Sequence, residues 1–133
     1  MSSAWDAINN KNRRHGTRHK ARLSASVSLV EKETDESEWP SVLAYTRDIS
    51  SGGLALIVPS LRLGCHDLNQ GNYVLRIVLA ISSASSITIT ARLVHCGLFN
   101  QDESGVGYLV GVRIEDMSAE DRVLYDEFIG SFY

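Results

Sequence analysis

Cysteine and proline each occur only twice in this chain of 133 residues, and aromatic residues make up 8% of it. Cys65 and Cys96 stand in no metal-ligand spacing, which points to free thiols in a reducing, cytoplasmic setting. The shortage of aromatics argues against a single-stranded nucleic-acid binder, because such proteins rely on stacking platforms. Long apolar runs are missing as well. Tyr73–Ile81 is interrupted by Arg76 and falls short of the ~20 residues a membrane helix needs, so no membrane insertion is expected. The N-terminal segment has no apolar core and does not read as a secretory signal.

Catalytic constellations are lacking too. His15 and His19 fall at i, i+4 but without an acidic partner, so no metal site is expected there. Gly105, Gly107 and Gly111 miss the dinucleotide-binding spacing and lie on a strand pattern, where glycines relieve crowding or mark a bulge. No G-x-S-x-G elbow surrounds Ser50 and Ser51. His95 shares the strand parity of Ala91 and Leu93 and is read as a core or rim histidine. These absences point away from an enzyme.

What is present describes one ordinary globular domain. Hydrophobic residues make up 44% of the chain and charged residues 22%, near the averages for folded proteins. A chain of this length buries about two-thirds of its unfolded surface, so it needs no disulfide or metal staple. The net charge of −3 is unevenly spread. Residues 1–22 carry Lys11, Arg13, Arg14, Arg18, Lys20 and Arg22 against Asp6 alone, whereas seven bases face fifteen acids in the remainder. A basic arm on an acidic body suits a small or local anionic partner rather than long nucleic acid.

The arm (residues 1–21) is polar, basic and without apolar period, so it reads as flexible. Strand patterns begin after it. Leu23, Ala25, Val27 and Leu29 alternate with serines. Val42–Ile49 returns after the acidic stretch that ends in Trp39-Pro40. "SSGG" (Ser50–Gly53) is a tight turn in which glycine would allow positive φ, and Leu54–Val58 follows. A loop of about a dozen residues leads to three further strands, through "NYVLRIVLAI", "ITITARLVHCG" and "GVGYLVGVRI". Six short strands without intervening helices imply an all-β fold, an antiparallel barrel or sandwich. One helix, at about 118–132, closes the chain. Ser118 is its expected N-cap, Glu120 and Asp121 suit its first turn, and Leu124, Phe128 and Phe132 form its apolar stripe beside Tyr125 and Ile129.

Two short motifs stand out. Arg14, Arg18 and Arg22 recur at spacing four in "RRHGTRHKAR", and "DISSGG" fits D/N-x-S-x-x-G through Asp48, Ser50 and Gly53. Both lie just outside strands expected to pair, so a hairpin would bring them together. In this order, followed by the "ARLVHCG" and "GVGYLVGVRIEDMS" segments, they resemble the PilZ family of cyclic di-GMP receptors over nearly the whole chain.

The resemblance implies a six-stranded antiparallel β-barrel at residues 22–133 with one C-terminal helix. It also implies cyclic di-GMP as ligand, with no cofactor, and binding residues among Arg14, Arg18, Arg22, Asp48, Ser50 and Gly53. A guanidinium fork meets phosphate, or the O6/N7 edge of guanine, bidentately. A carboxylate such as Asp48 accepts from guanine N1–H and N2–H₂, while Ser50 can bond a phosphate or base edge.

The arginine pair is either Arg18–Arg22, since Arg22 directly precedes the apolar Leu23, or Arg14–Arg18. In the family, an arginine just before the pair favours an intercalated ligand dimer. The first register puts Thr17 there and the second puts Arg13. The expected function is a single-domain effector that orders its arm on binding and signals to a separate, unidentified protein. The alternative is a degenerate barrel that serves as a protein–protein adaptor without nucleotide.

Overall fold

The serine–aliphatic alternation that opens the domain becomes strand β2 (Ser24–Leu29), following a two-residue strand β1 (His19–Lys20). In β2, Ala25, Val27 and Leu29 are buried while the serines face outward. The computed structural model describes residues 17–101 and 105–132. Six strands close a barrel: β2, β3 (Ser41–Ile49), β4 (Gly53–Val58), β7 (Val74–Ala80), β8 (Ser86–Gln101) and β9 (Gly105–Met117). Every pairing is antiparallel, in the order β3-β2-β7-β8-β9-β4, and β3 pairs with β4 to complete the ring. Among the described residues, closure leaves no long unpaired sheet edge. The interior is aliphatic, built on Val27, Leu56, Leu75, Ile77, Leu79, Ile89 and Val110.

Several details depart from the sequence reading. The arm was expected to lack fixed structure up to residue 21, yet His19 and Lys20 pair with Ile49 and Asp48 of β3. Thr46, 1% exposed, anchors the crossing from β1 to β2. Its hydroxyl donates to the Ala21 carbonyl and accepts from the Leu23 N–H. One buried hydroxyl thus satisfies two backbone groups where the pairing partner changes. The loop after β4 holds a small hairpin, β5 (Arg62–Leu63) and β6 (His66–Asp67), whose Leu63 is buried. Among the described residues the positive φ falls at Gly64 (φ 60), not in the Ser50–Gly53 turn.

The helix α1 (Ala119–Gly130) is capped as expected, with the Ser118 hydroxyl accepting from the Asp121 N–H. Its buried face is different. Tyr125 and Ile129 enter the core, with Phe128 packed against it, while Leu124 and Phe132 are partly exposed. Among the described residues, no helix is long and apolar enough to cross a membrane.

Candidate functional site

The two motifs meet through a pair of charged groups. Arg18, just before β1, donates from Nη1 to Asp48 Oδ1 at 2.8 Å across a sequence separation of 30. Arg47 donates from Nε to Asp48 Oδ2 at 2.7 Å. The carboxylate is 9% exposed, whereas the two arginines remain 48% and 42% exposed. The acid is therefore held in place while its partners keep contact with solvent. The strand register explains why Arg47 and Asp48 both reach the rim. The β3–β4 pairing slips between Thr46 and Asp48, and a bulge of this kind re-aims side chains near a site.

After β3, the turn is locked through its own polar groups. The Ser50 N–H donates to the Gly53 carbonyl at 2.9 Å, and the Gly53 N–H donates to Ser50 Oγ at 3.1 Å. Ser50 is buried, so its hydroxyl is engaged in shaping the turn. Gly53 is required for closeness rather than for φ. A Cβ there would stand 2.5 Å from the Val112 carbonyl oxygen, whereas one at Gly52 would meet nothing within 4 Å.

The helix braces the turn from behind. The Tyr125 hydroxyl donates to the Ser50 carbonyl, and Arg122 Nη1 donates to the Ser51 carbonyl at 3.2 Å. Burial pushes the Tyr125 phenol above its ordinary pKa, so it remains a donor even in alkaline solution.

In front of the turn lies a concavity of about 250 Å³. Arg18, Ser50, Gly52 and Gly53 form one wall, and Val94, His95, Gly111, Val112 and Arg113 form the other. Cations on both sides, with a buried carboxylate beside them, suit a ligand that carries phosphate and a hydrogen-bonding base.

Of the residues singled out from sequence, Arg18, Ser50 and Gly53 line this concavity. Asp48 is bonded to Arg18 beside it. Arg22 is turned elsewhere, its guanidinium 3.9 Å from the centroid of the Tyr45 ring. Arg14 lies outside the described residues.

Sequence reasoning missed Arg47, His95 and Arg113. Arg47 was visible as the basic neighbour of Asp48. His95 was hidden by a second bulge. The β8–β9 register pairs Leu93 with Val112 and His95 with Gly111, so Val94 is the extra residue and the alternation reverses. His95 is therefore exposed and not on the core face that parity with Leu93 suggests.

A model of the PilZ domain matches residues 12–131. Among curated proteins nothing matches. The fold is similar to the solved PilZ domain, with c-di-GMP, of YcgR from Escherichia coli (11% identity, TM-score 0.62, covering 86% of this chain and 87% of that one). It is also similar to the inhibitor of motility MotI/DgrA of Bacillus subtilis (17% identity, TM-score 0.57, covering 86% of this chain and 48% of that one). A third similarity is to PlzA of Borreliella burgdorferi, solved in complex with c-di-GMP (13% identity, TM-score 0.56, covering 98% of this chain and 58% of that one). The chain thus spans about half the length of MotI/DgrA.

Proposed function

The chain belongs to the PilZ domain family, and from that premise we propose that it is a cyclic di-GMP receptor that passes the signal to a separate protein. The observation that carries this reading is the 2.8 Å contact between Arg18 and Asp48. It joins the arginine arm to the D-x-S-x-x-G turn at the edge of one concavity. Two similar folds, those of YcgR and PlzA, were solved with c-di-GMP.

In this reading the Arg18–Asp48 pair occupies the site in the free protein and opens on binding. The Arg18 fork turns to a phosphate or to the O6/N7 edge of a guanine. Asp48 accepts from guanine N1–H and N2–H₂ and keeps Arg47 as its counter-ion. Gly53 holds the turn against β9, and Ser50 holds the shape of the turn. No bond is made or broken, so no catalytic role is assigned. The free thiols of Cys65 and Cys96 support a reducing, cytoplasmic setting.

The position of Arg22 against Tyr45 favours Arg14–Arg18 as the arm's pair over Arg18–Arg22. Arg13 then stands directly before the pair, which favours two intercalated ligand molecules. Binding holds the arm across the rim, and arm plus rim form the surface that a downstream protein reads.

Isothermal titration with cyclic di-GMP tests the reading. Saturable heat that Arg18→Ala weakens by about ten- to a hundredfold is expected, the loss of one or two charge-assisted hydrogen bonds. No heat at millimolar ligand would favour the adaptor alternative.

A further inference from the structure

We propose that His95 is a base-stacking residue of this site, an inference that rests on the cyclic di-GMP reading and names a contact outside both motifs. A Cβ on Gly111 would collide with the imidazole of His95, standing 2.7 Å from Nδ1 and 2.8 Å from Nε2, with Cε1 closer still. Both nitrogens that flank Cε1 are close as well, which fits a ring lying face-on over the glycine rather than pointing at it with its edge.

Gly111 is buried although its strand neighbours Val110 and Val112 are the residues of β9 that face the core. The His95 ring covers it from outside. The bulge at Val94 is what turns His95 to this side. One face of the imidazole thus rests on backbone, and the residue remains exposed within the concavity that Arg18 and Arg113 also line. Among the described residues, none forms a hydrogen bond or ion pair with the ring.

A flat ring seated on a glycine, open on its other side and flanked by two cations, is a shelf for a planar base attached to phosphate. Histidine serves as such a stacking platform for nucleobases, and a stacked base needs no particular edge. The shelf and the motifs therefore divide the work. Asp48 and Arg18 read edges and phosphate, while His95 receives the face of a guanine.

The test titrates cyclic di-GMP into wild-type protein, His95→Ala and His95→Phe, and follows the His95 ring protons by NMR. His95→Ala should weaken binding by about tenfold or more, as loss of a stacked base does. His95→Phe, which keeps a flat face without ring nitrogens, should bind within about twofold of wild type. In wild type the imidazole C–H resonances should move upfield at saturation, the signature of a base ring above them. Wild-type affinity in His95→Ala, affinity in His95→Phe as weak as in the alanine variant, or unmoved imidazole resonances would each overturn the stacking role while leaving the receptor reading intact. A wild type that does not bind cyclic di-GMP would overturn the receptor reading, and this inference with it.

Discussion

The Tyr125 hydroxyl donates a 2.5 Å hydrogen bond to the Ser50 carbonyl, 75 residues earlier in the chain. This contact ties the C-terminal helix to the backbone of the Ser50–Gly53 turn, and both groups are buried. Tyr125→Phe keeps the ring but leaves a buried carbonyl unpaired, at a cost of about 1–3 kcal/mol. Chemical denaturation should register the loss as a lower midpoint with an unchanged slope.

The same phenol gives a pH dependence. Burial raises its pKa, outweighing the opposing pull of Arg122 and Arg18. An unfolded chain releases this proton near pH ~10, while the folded protein retains it. The unfolded state then binds fewer protons, so the stability that this group contributes is complete below that pH and is lost as pH rises above it. The stability gap between wild type and Tyr125→Phe should therefore narrow above pH ~10. A gap that widens there would contradict the assignment.

Gly52 and Gly53 form a paired control for the turn. Gly53→Ala forces a Cβ against the Val112 carbonyl oxygen, whereas Gly52→Ala meets open space. Overpacking of this kind costs about 1–3 kcal/mol, so Gly53→Ala should melt earlier and bind ligand more weakly. Gly52→Ala should melt within a few degrees of wild type. Equal melting temperatures for the two variants would remove the steric role assigned to Gly53.

Asp48→Asn separates recognition from folding. Its two partners, Arg18 and Arg47, are each more than two-fifths exposed, so neither is stranded when the acid is neutralised. Both cations stay solvated and the asparagine oxygen still accepts a hydrogen bond in the place of the carboxylate, so the change should cost folding only about 1 kcal/mol. The variant should keep its melt nearly unchanged while losing about tenfold or more in affinity for cyclic di-GMP, since charged acceptors contribute about 1.5–3 kcal/mol each. A collapse in stability would make Asp48 a structural residue.

The arm's register is tested by Arg14→Ala, Arg18→Ala and Arg22→Ala. The first two should weaken binding strongly and the third weakly, because Arg22 rests on Tyr45. Titration should give two ligands per chain, falling toward one in Arg13→Ala. A strong effect of Arg22→Ala together with none of Arg14→Ala would restore the Arg18–Arg22 pair.

The parts of this fold that follow local rules could be read directly from the sequence. The serines of β2 alternate with Ala25, Val27 and Leu29, and burial follows that alternation. Ser118 caps the helix by the chemistry its position suggests, and Asp48 meets the arm because a hairpin brings the two together.

What could not be read depended on register. A single extra residue at Val94 reverses the period-two rule, so strand parity left His95 as a core or rim residue and the bulge sets it on the rim. On the helix, Leu124 and Tyr125 offer equally good periodic stripes. Which one turns inward depends on the barrel mouth, where the Ser50 carbonyl is an acceptor that the Tyr125 hydroxyl satisfies and a leucine could not. The glycines misled in a similar way. "SSGG" suggested positive φ, but Gly53 answers to the approach of β9, a long-range contact with no local signal.

Amide hydrogen exchange with and without saturating cyclic di-GMP addresses the central claim most directly, because it reports binding and its location together. The account predicts new protection across residues 14–22 and Asp48–Gly53, with the interior strand β7 unchanged. Exchange that is identical in both states, or protection confined to surfaces away from the Arg18–Asp48 rim, would contradict it.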